Sequence, residues 1–190
     1  MIAGLVLGAG EGVRFGSEPK LLAELDGRPL LEHAIRAACG VPALERVVVV
    51  LGAHAEELLA GVDFMRAEPA VCSDWGEGQA ASLRCGVEAV SGAEKVLVTL
   101  GDQPLITSEV IARFVNEPPG TRAVYDGRPG HPVVLGPEQL RAIQGLSGDR
   151  GARELLRGGR TIECAGLCSG RDVDTPEDLE AVRAWRSSAI

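Results

Sequence analysis

The first segment that could carry chemistry is glycine-rich and lies near the amino end: "LVLGAGEGVRFGSEPKLL", residues 5–22. An apolar run stops at Gly8, small residues continue to Gly12, and two cations follow at Arg14 and Lys20. Glycines let a backbone approach a ligand closely and adopt positive φ, so bare N–H groups can form a nest for an anion. Arginine binds phosphate oxygens through a planar fork, and lysine acts as a point charge. The segment therefore predicts a triphosphate site.

Three other interpretations of this glycine segment compete with a triphosphate site. The dinucleotide fingerprint G-x-G-x-x-G lacks its third glycine, which falls on Val13 or Phe15 in the two frames. A P-loop requires G-x-x-x-x-G-K-[ST], but Lys20 follows Pro19 and precedes Leu21. A turn between a strand and a helix, with no ligand, agrees with the glycine spacing alone. The two cations make that last interpretation less favoured.

Two aspartates could complete the site with a metal ion. Asp102 lies in "GDQP", where a buried strand gives way to a loop, and Asp174 lies in "RDVDTPEDL" beside Asp172. Mg²⁺ takes oxygen ligands and often binds one or two carboxylates together with phosphates. Aspartates at such places also form turns or cap helices. For Asp174 the cap is the stronger alternative, because Thr175 and Pro176 begin a predicted helix.

Strand-like apolar runs alternate with helical patterns through the first two thirds of the chain. The predicted strands are 2–8, 46–52, 64–69 and 95–100, and the predicted helices are 29–40, 54–62, 78–90 and 107–115. Thr107 or Ser108 could cap the last of these helices. This alternation predicts an α/β fold with a doubly wound, mainly parallel sheet covered by helices. We expect one domain over residues 1–190.

The last third of the chain has a different pattern. Residues 121–136 predict two short strands around "DGRPG", as a hairpin or a small β insertion at the sheet edge. Beyond them the sequence predicts helices over 137–145 and 149–158, strands over 161–166 and 171–175, and a final helix that begins at Pro176. Ligands of such sheets bind beyond the carboxyl ends of the strands. The glycine segment and "GDQP" both lie there, so we expect them to form one site.

Composition argues against several classes of function. The net charge of −8 argues against a nucleic-acid partner, which needs a basic face. No apolar stretch has membrane-spanning length and no signal peptide is visible, so we expect a cytoplasmic protein with no membrane partner. The five cysteines form no C-x-x-C pair, which favours reduced, buried thiols over zinc ligands or disulfides. The oligomeric state stays open between a monomer and a weak dimer.

On its motifs the chain resembles the MobA-like nucleotidyltransferases, most closely the molybdenum cofactor cytidylyltransferase (MocA-like) branch. The family opening L-x-A-G-x-G-x-R-M-G-x-x-K is matched by "LGAGEGVRFGSEPK", with Phe15 in place of methionine and one more residue before Lys20. Further matches are "GDQP", "DVDTPEDL", "WGEGQAASLRCG", "GHPVVLG" and "GDRGAR". The family often has an asparagine ahead of the tryptophan segment, where this chain has Cys72 and Ser73. If the residue at this place helps to bind the base or ribose, this difference affects which nucleotide the protein prefers.

The resemblance implies a Rossmann-like nucleotidyltransferase fold and a reaction. A nucleoside monophosphate, CMP rather than GMP, passes from the triphosphate to the phosphate of a molybdopterin-type cofactor, and pyrophosphate leaves. Mg²⁺ is the implied cofactor, and a molybdenum hydroxylase apoenzyme is a further partner. The residues implied are, for the nucleotide, Leu7, Gly8, Ala9, Gly10, Gly12, Arg14, Lys20, Glu68, Gln79, Ser82 and Asp102; for catalysis, Arg14, Lys20 and Asp102; for the metal, Asp102 and Asp174; and for the acceptor, His131, Asp149 and Arg153, with Arg150 beside them.

Two other classes of function stay open. Some MocA-like proteins are dye reductases that use a nicotinamide cofactor. This chain lacks the dinucleotide fingerprint, and a carboxylate for the ribose is not evident about twenty residues further on. The second class is a non-catalytic chaperone that binds a cofactor and hands it to an apoenzyme. Such a protein would not require Asp102 and Asp174 at one site.

Overall fold

A seven-stranded sheet forms the centre of the protein in the computed structural model, which describes residues 1–148, 151, 155–156 and 158–188. The strands are β1 Ile2–Gly8, β2 Glu24–Leu25, β3 Arg28–Pro29, β4 Arg46–Leu51, β5 Glu68–Val71, β6 Lys95–Leu100, β7 Arg122–Tyr125, β8 Arg128–Leu135 and β9 Thr161–Glu163. The helices are α1 Leu30–Cys39, α2 Ala55–Gly61, α3 Gln79–Ala89, α4 Ser108–Arg113, α5 Pro137–Ile143 and α6 Pro176–Ser188. Strands β2 and β3 form a separate two-stranded hairpin.

The strand order in the large sheet is β5-β4-β1-β6-β8-β7-β9. The first four of these strands are parallel, and their register pairs Gly8 with Leu51 and Leu7 with Leu100. Strand β8 adds to β6 in the antiparallel direction, and β7 and β9 follow it. The carboxyl ends of β1, β4 and β6 therefore meet at one edge of the sheet.

Side-chain alternation along the central strands explains why helices cover both faces. Val49 of β4 and Leu97 of β6 belong to one buried cluster, which includes residues of α1 and α4. Their neighbours Val48 and Val98 belong to a second cluster on the other face, with residues of α3 and α5. Strands buried on both faces read as continuous β-branched runs, as "VVVV" does here. The predicted doubly wound, mainly parallel sheet is confirmed.

The hairpin predicted over 121–136 is also confirmed, as β7 and β8, and it extends the sheet from β6. Its turn residues Asp126 and Gly127 have φ of 50° and 74°, the positive values that a two-residue hairpin turn needs. The β2–β3 hairpin has the same dipeptide at its turn, Asp26 and Gly27, which also have positive φ. Thr107 is confirmed as the α4 cap, because its Oγ1 accepts a hydrogen bond from the Val110 amide at 3.3 Å.

Two predicted strands are wrong. Residues 64–67 form a turn instead, in which the Ala67 amide donates to the Phe64 carbonyl at 2.8 Å and Met65 has φ of 54°. The neighbouring strand β5 starts only at Glu68. Residues 171–175 form no strand. The helix predicted over 149–158 falls largely outside the described residues. Among the residues that are described, no helix is long and apolar enough to cross a membrane.

Acid should weaken the fold through His33 of α1. This side chain is buried and its Nε2 donates to the Leu25 carbonyl of the β2–β3 hairpin at 2.8 Å. Burial lowers the pKa of His33 below its ordinary 6.5. The folded state therefore binds fewer protons than the unfolded state, and stability falls as pH drops through 6.5. We expect the free energy of unfolding, measured with urea, to fall less between about pH 7.5 and 5.5 in His33→Gln, which keeps a hydrogen-bond donor, than in the wild type. An unchanged slope would contradict this.

Candidate active site

The glycine segment turns away from the carboxyl end of β1 and is fixed there by its neighbours. The Gly101 amide donates to the Leu7 carbonyl at 2.8 Å, and the Ala53 amide donates to the Ala9 carbonyl at 3.1 Å. Gly52 makes this second contact possible, because a Cβ there would lie 2.5 Å from the Ala9 carbonyl oxygen. The loop is thus held between the exits of β4 and β6.

Past Ala9 the loop is exposed at Gly10 and then folds over Lys20. Gly12 has φ of 69°, and a Cβ there would lie 3.0 Å from the Lys20 Cβ. A larger residue would therefore be strained and would press on the lysine stem. A short 3₁₀ turn, Val13–Phe15, follows and carries Arg14. The loop and the two cations are thus adjacent, as the sequence predicts.

Lys20 lies between the two aspartates that the sequence singles out. Its Nζ is 2.7 Å from Asp102 Oδ2 and 3.1 Å from Asp174 Oδ1, and the lysine side chain is only 10% exposed. Arg14 Nη2 donates to Asp174 Oδ2 at 2.8 Å from a largely exposed side chain. The structure therefore brings Arg14, Lys20, Asp102 and Asp174 into one cluster at the carboxyl end of β6.

The charges in this cluster balance one another. Burial alone would lower the pKa of Lys20, but the charges of Asp102 and Asp174 and their hydrogen bonds outweigh it, so the pKa stays above 10.5. The lysine is therefore cationic throughout the physiological range. At Asp172, burial and the charge of Asp102 raise the pKa of the carboxyl, against a hydrogen bond from Gln103 that lowers it.

The alternative interpretation of Asp174 as a helix cap does not hold. Thr175 caps α6 instead: its Oγ1 accepts from the Asp178 amide at 3.2 Å, and Asp178 Oδ2 accepts from the Thr175 amide at 3.0 Å. This reciprocal pair is a capping box. The Asp174 carboxylate is therefore not needed for the helix and is directed to Lys20 and Arg14 instead.

A divalent metal ion fits the donors in this cluster. Asp102 Oδ1 is buried and makes no hydrogen bond within the described chain, and a buried anionic oxygen of this kind is satisfied by a cation. Carboxylate oxygens also suit a hard cation such as Mg²⁺. No group of three or more potential ligands occurs among the described residues. Asp102 and Asp174 would therefore need phosphate oxygens or water to complete a coordination shell.

Glu68 is not brought to the cluster. It is the first residue of β5, and its carboxylate pairs with Arg46 at the beginning of β4, with a closest distance of 2.6 Å. The site lies at the opposite, carboxyl ends of these strands. The predicted strand 64–69 would put Glu68 near a strand exit, but β5 begins at Glu68, so this residue lies at the opposite end of its strand.

Residues at the beginning of α3 lie at the correct edge of the sheet. Gln79 is the first residue of α3 and is exposed, and a Cβ on Gly151 would lie 2.7 Å from its Oε1. Ser82 lies one turn further along and is buried, with 9% exposure. The preceding Trp75 packs on Gly52 beside the glycine loop. Gln79 is thus available to a ligand at this edge, whereas Ser82 is covered.

The acceptor-side residues are only partly described. His131 is a half-buried residue of β8, and its carbonyl accepts a hydrogen bond from the Tyr125 hydroxyl at 2.7 Å. Because Val133 pairs with Val98 in antiparallel register, His131 lies toward the carboxyl end of β6, the same end as Asp102. The other acceptor candidates, Asp149, Arg150 and Arg153, fall outside the described residues.

Two polar residues beside the cluster were missed as site residues. Gln103 is buried and donates through Nε2 to Asp172 Oδ1 at 2.7 Å. The sequence carries no signal for this contact, because the burial of Gln103 and the polar partners that satisfy its amide arise only in the folded chain. The two aspartates of "DVD" thus have different partners. Asp172 accepts a hydrogen bond from the Gln103 amide, whereas Asp174 pairs with Lys20.

Comparison with known proteins agrees with this geometry. The family model described as the MobA-like NTP transferase domain matches residues 4–164. Nicotine blue oxidoreductase from Paenarthrobacter nicotinovorans is 34% identical over 193 residues, which cover 94% of this chain and 94% of that protein. The Bifunctional protein GlmU from Cutibacterium acnes is 34% identical over 190 residues, which cover 98% of this chain but only 40% of that longer protein.

Solved structures give the same result. The crystal structure of Rv0371c from Mycobacterium tuberculosis superposes with a TM-score of 0.86 and 27% identity, over 96% of this chain and 97% of that one. A complex of Rv0371c with manganese superposes with a TM-score of 0.82 and 25% identity, over 96% of this chain and 98% of that one. These matches agree with the glycine loop and the lysine–aspartate cluster. The chain therefore belongs to the family of MobA-like NTP transferase domains and is a nucleotidyltransferase-family protein.

Proposed function

We propose that the protein transfers CMP from CTP to the phosphate of a molybdopterin-type cofactor. The observation that carries the proposal is the position of the Lys20 ammonium between Asp102 and Asp174, beneath the glycine loop. If a triphosphate binds along that loop, Lys20 and Arg14 would neutralise the charge of the pyrophosphate that leaves. The two carboxylates would hold a divalent metal at the reacting end.

In the proposed reaction, an oxygen of the acceptor phosphate attacks the α-phosphorus of CTP and forms a new P–O–P bond. The bond from the α-phosphorus to the bridging oxygen breaks, and pyrophosphate leaves with both electrons of that bond. The attacking phosphate is already ionised at neutral pH, so no general base is required. Catalysis then consists of positioning the two phosphates and neutralising their charge. Arg14 and Lys20 supply that charge on the pyrophosphate side.

The proposed metal is Mg²⁺, held by the carboxylates of Asp102 and Asp174. When bound, it supplies charge neutralisation and polarises a phosphoryl oxygen. The buried Asp102 Oδ1 supports a divalent ion at this place, and the manganese complex of the similar protein Rv0371c supports the use of a divalent metal. In its absence, Lys20 keeps the two carboxylates paired with a cation.

The proposed acceptor rests on the motif resemblance together with the position of His131 near the carboxyl end of β6. A pterin monophosphate would approach from that side, opposite the glycine loop. The same side would face a molybdenum hydroxylase apoenzyme that receives the product. Gln79, which is exposed at the beginning of α3, would contact the base or ribose of the nucleotide.

An assay of pyrophosphate release tests the reaction directly. We expect purified protein with Mg²⁺ and molybdopterin to consume CTP faster than GTP when the two compete, with one pyrophosphate released for each nucleotide consumed. Release that does not depend on molybdopterin, or that occurs equally well with a sugar phosphate, would contradict the acceptor. Equal or faster turnover of GTP would contradict the nucleotide preference. Protein without molybdopterin is the control.

A second candidate function is reduction of a dye with a nicotinamide cofactor. The similarity over nearly the whole chain to a protein named Nicotine blue oxidoreductase favours it. The broken dinucleotide fingerprint and the two cations beside the glycine loop disfavour it, because Lys20 and Arg14 suit a triphosphate.

Calorimetry distinguishes these two functions. We expect CTP with Mg²⁺ to bind with measurable heat and NADPH to give none at the same concentrations, because the loop lacks the third glycine of a dinucleotide site. Micromolar NADPH binding without any heat from nucleoside triphosphates would reverse the assignment in favour of the reductase.

A further inference from the structure

Gln103 is a buried polar side chain that the proposed reaction does not itself use. It follows Asp102 directly, and the residue is only 3% exposed. Its Nε2 donates to two oxygens, Asp172 Oδ1 at 2.7 Å and the Gly170 carbonyl at 3.1 Å. Only the amino end of the amide can face two acceptors, so these partners fix the orientation of the side chain.

A third hydrogen bond joins the same two stretches of chain. The Val173 amide donates to the Asp102 carbonyl at 2.9 Å. Two consecutive residues, 102 and 103, therefore hold residues 170–173 through one backbone bond and two side-chain bonds. Val173 is fully buried against Leu25, Leu105 and other residues of a small apolar cluster, and this burial fixes the remaining direction of the segment.

This arrangement determines where Asp174 lies. The segment is not part of any strand, so no sheet hydrogen bonds position it. Asp174 follows directly after Val173, and its carboxylate reaches Lys20 Nζ at 3.1 Å, alongside Asp102. A carboxylate pair that shares a cation needs both members fixed, and outer partners of ligands usually provide this. The bonds from Gln103 are placed to do so.

We propose that Gln103 is a positioning residue, which acts through Asp172 and Gly170 to hold Asp174 beside Asp102 for a shared divalent cation. The proposal rests on the proposed metal role of this aspartate pair. Gln103 itself does not touch the cation. It sets the geometry of the ligand that comes from the distant end of the chain.

Titration with Mn²⁺ alone, without nucleotide, tests the proposal in Gln103→Met. Methionine is similar in length but cannot donate a hydrogen bond. We expect the Kd for Mn²⁺, measured by electron paramagnetic resonance, to rise about tenfold or more. Gln139→Met is the matched control, because Gln139 Oε1 accepts from the Gly136 amide at 3.0 Å at the beginning of α5, and it should change the Kd less than about twofold. An unchanged Kd in Gln103→Met would overturn the proposal.

A pair of variants at the more exposed Asp172 tests the same contact from its other side. Asp172→Asn and Asp172→Leu remove the same charge, but only asparagine keeps an oxygen that can accept from Gln103. We expect the leucine variant to bind Mn²⁺ about tenfold more weakly than the asparagine variant. Equal affinities would overturn the proposal, and this comparison stands even where Gln103→Met does not fold.

Hydrogen exchange adds a structural readout in wild type and in the Asp172 pair. The Val173 amide should exchange faster in Asp172→Leu than in Asp172→Asn, while amides of β1 keep their protection. Equal exchange of Val173 would contradict a positioning role. Failure of CTP turnover in the wild type would reject the proposed function but leave the Mn²⁺ comparison intact. A wild-type protein that binds no Mn²⁺ would overturn the positioning role itself.

Discussion

Asp102→Asn should lower the rate of pyrophosphate release by at least about a hundredfold, the usual cost of one pre-organised electrostatic contact. Asparagine keeps the shape of the side chain and removes its charge. The backbone carbonyl of residue 102, which accepts from the Val173 amide at 2.9 Å, is unaffected. Lys20 also keeps its second partner, Asp174, at 3.1 Å. The fold should therefore survive while the cation site loses one ligand.

Pyrophosphate release and thermal melting, measured on the same samples, check this expectation. Asp26→Asn is the matched control, because Asp26 also pairs with a cation, Arg186 at 2.5 Å, but lies on the β2–β3 turn and is not a member of the cluster. Its φ of 51° is a conformation that asparagine adopts readily. The control should keep near-normal turnover. An Asp102→Asn protein with full activity would remove this carboxylate from the mechanism.

Asp174→Asn tests the shared cation site without removing the cap of α6. The sequence alone leaves open that Asp174 caps α6, in which case a substitution there would affect folding as well as chemistry. Thr175 and Asp178 form the cap instead, so the helix should keep its first turn in the variant. Turnover should fall as in Asp102→Asn. Normal turnover with ordinary dependence on divalent metal would show that the two aspartates do not share a cation.

The fold was largely predictable because its central strands are buried on both faces. A run such as "VVVV" in β4, in a chain where strands and helices alternate, indicates a central parallel strand. The carboxyl end of such a strand lies at the edge of the sheet where ligands bind. The strand at 64–69 was wrong for a local reason. Phe64 and Met65 are apolar, but Met65 adopts positive φ and closes a turn, which composition does not reveal. Glu68 was then assigned to the wrong end of its strand.

The site was predictable where a residue type and a strand end coincide. Asp102 lies just beyond the end of β6, and the glycine segment with Gly12 and Lys20 follows the end of β1; the structure places these residues together. Asp174 needed the resemblance as well, since nothing in its own segment distinguishes a metal ligand from a helix cap. Gln103 was missed because its function depends on partners about seventy residues away. Contacts between distant loops are set by tertiary packing and leave no spacing in the sequence.

Lys20→Met should lower kcat by about a hundred- to a thousandfold and change KM much less. Negative charge builds on the pyrophosphate as it leaves, so a cation there stabilises the transition state more than the bound substrate. Methionine keeps the aliphatic stem that packs beneath Gly12, so the loop should retain its shape. Without the ammonium, Asp102 would lose its ion pair with Lys20, whereas Asp174 would keep its ion pair with Arg14 at 2.8 Å.

Lys95→Met is the natural control for Lys20→Met, since Lys95 is a lysine whose Nζ donates only to the Val115 and Glu117 carbonyls, at 2.9 Å each, in the described contacts. It should lower stability without altering kcat. The two substitutions thus separate a lysine that supports the fold from one that acts on phosphate. Steady-state kinetics with CTP and Mg²⁺ distinguish them, because a raised KM with unchanged kcat in Lys20→Met would reduce Lys20 to a binding residue. Loss of kcat in both variants would instead point to a general structural effect.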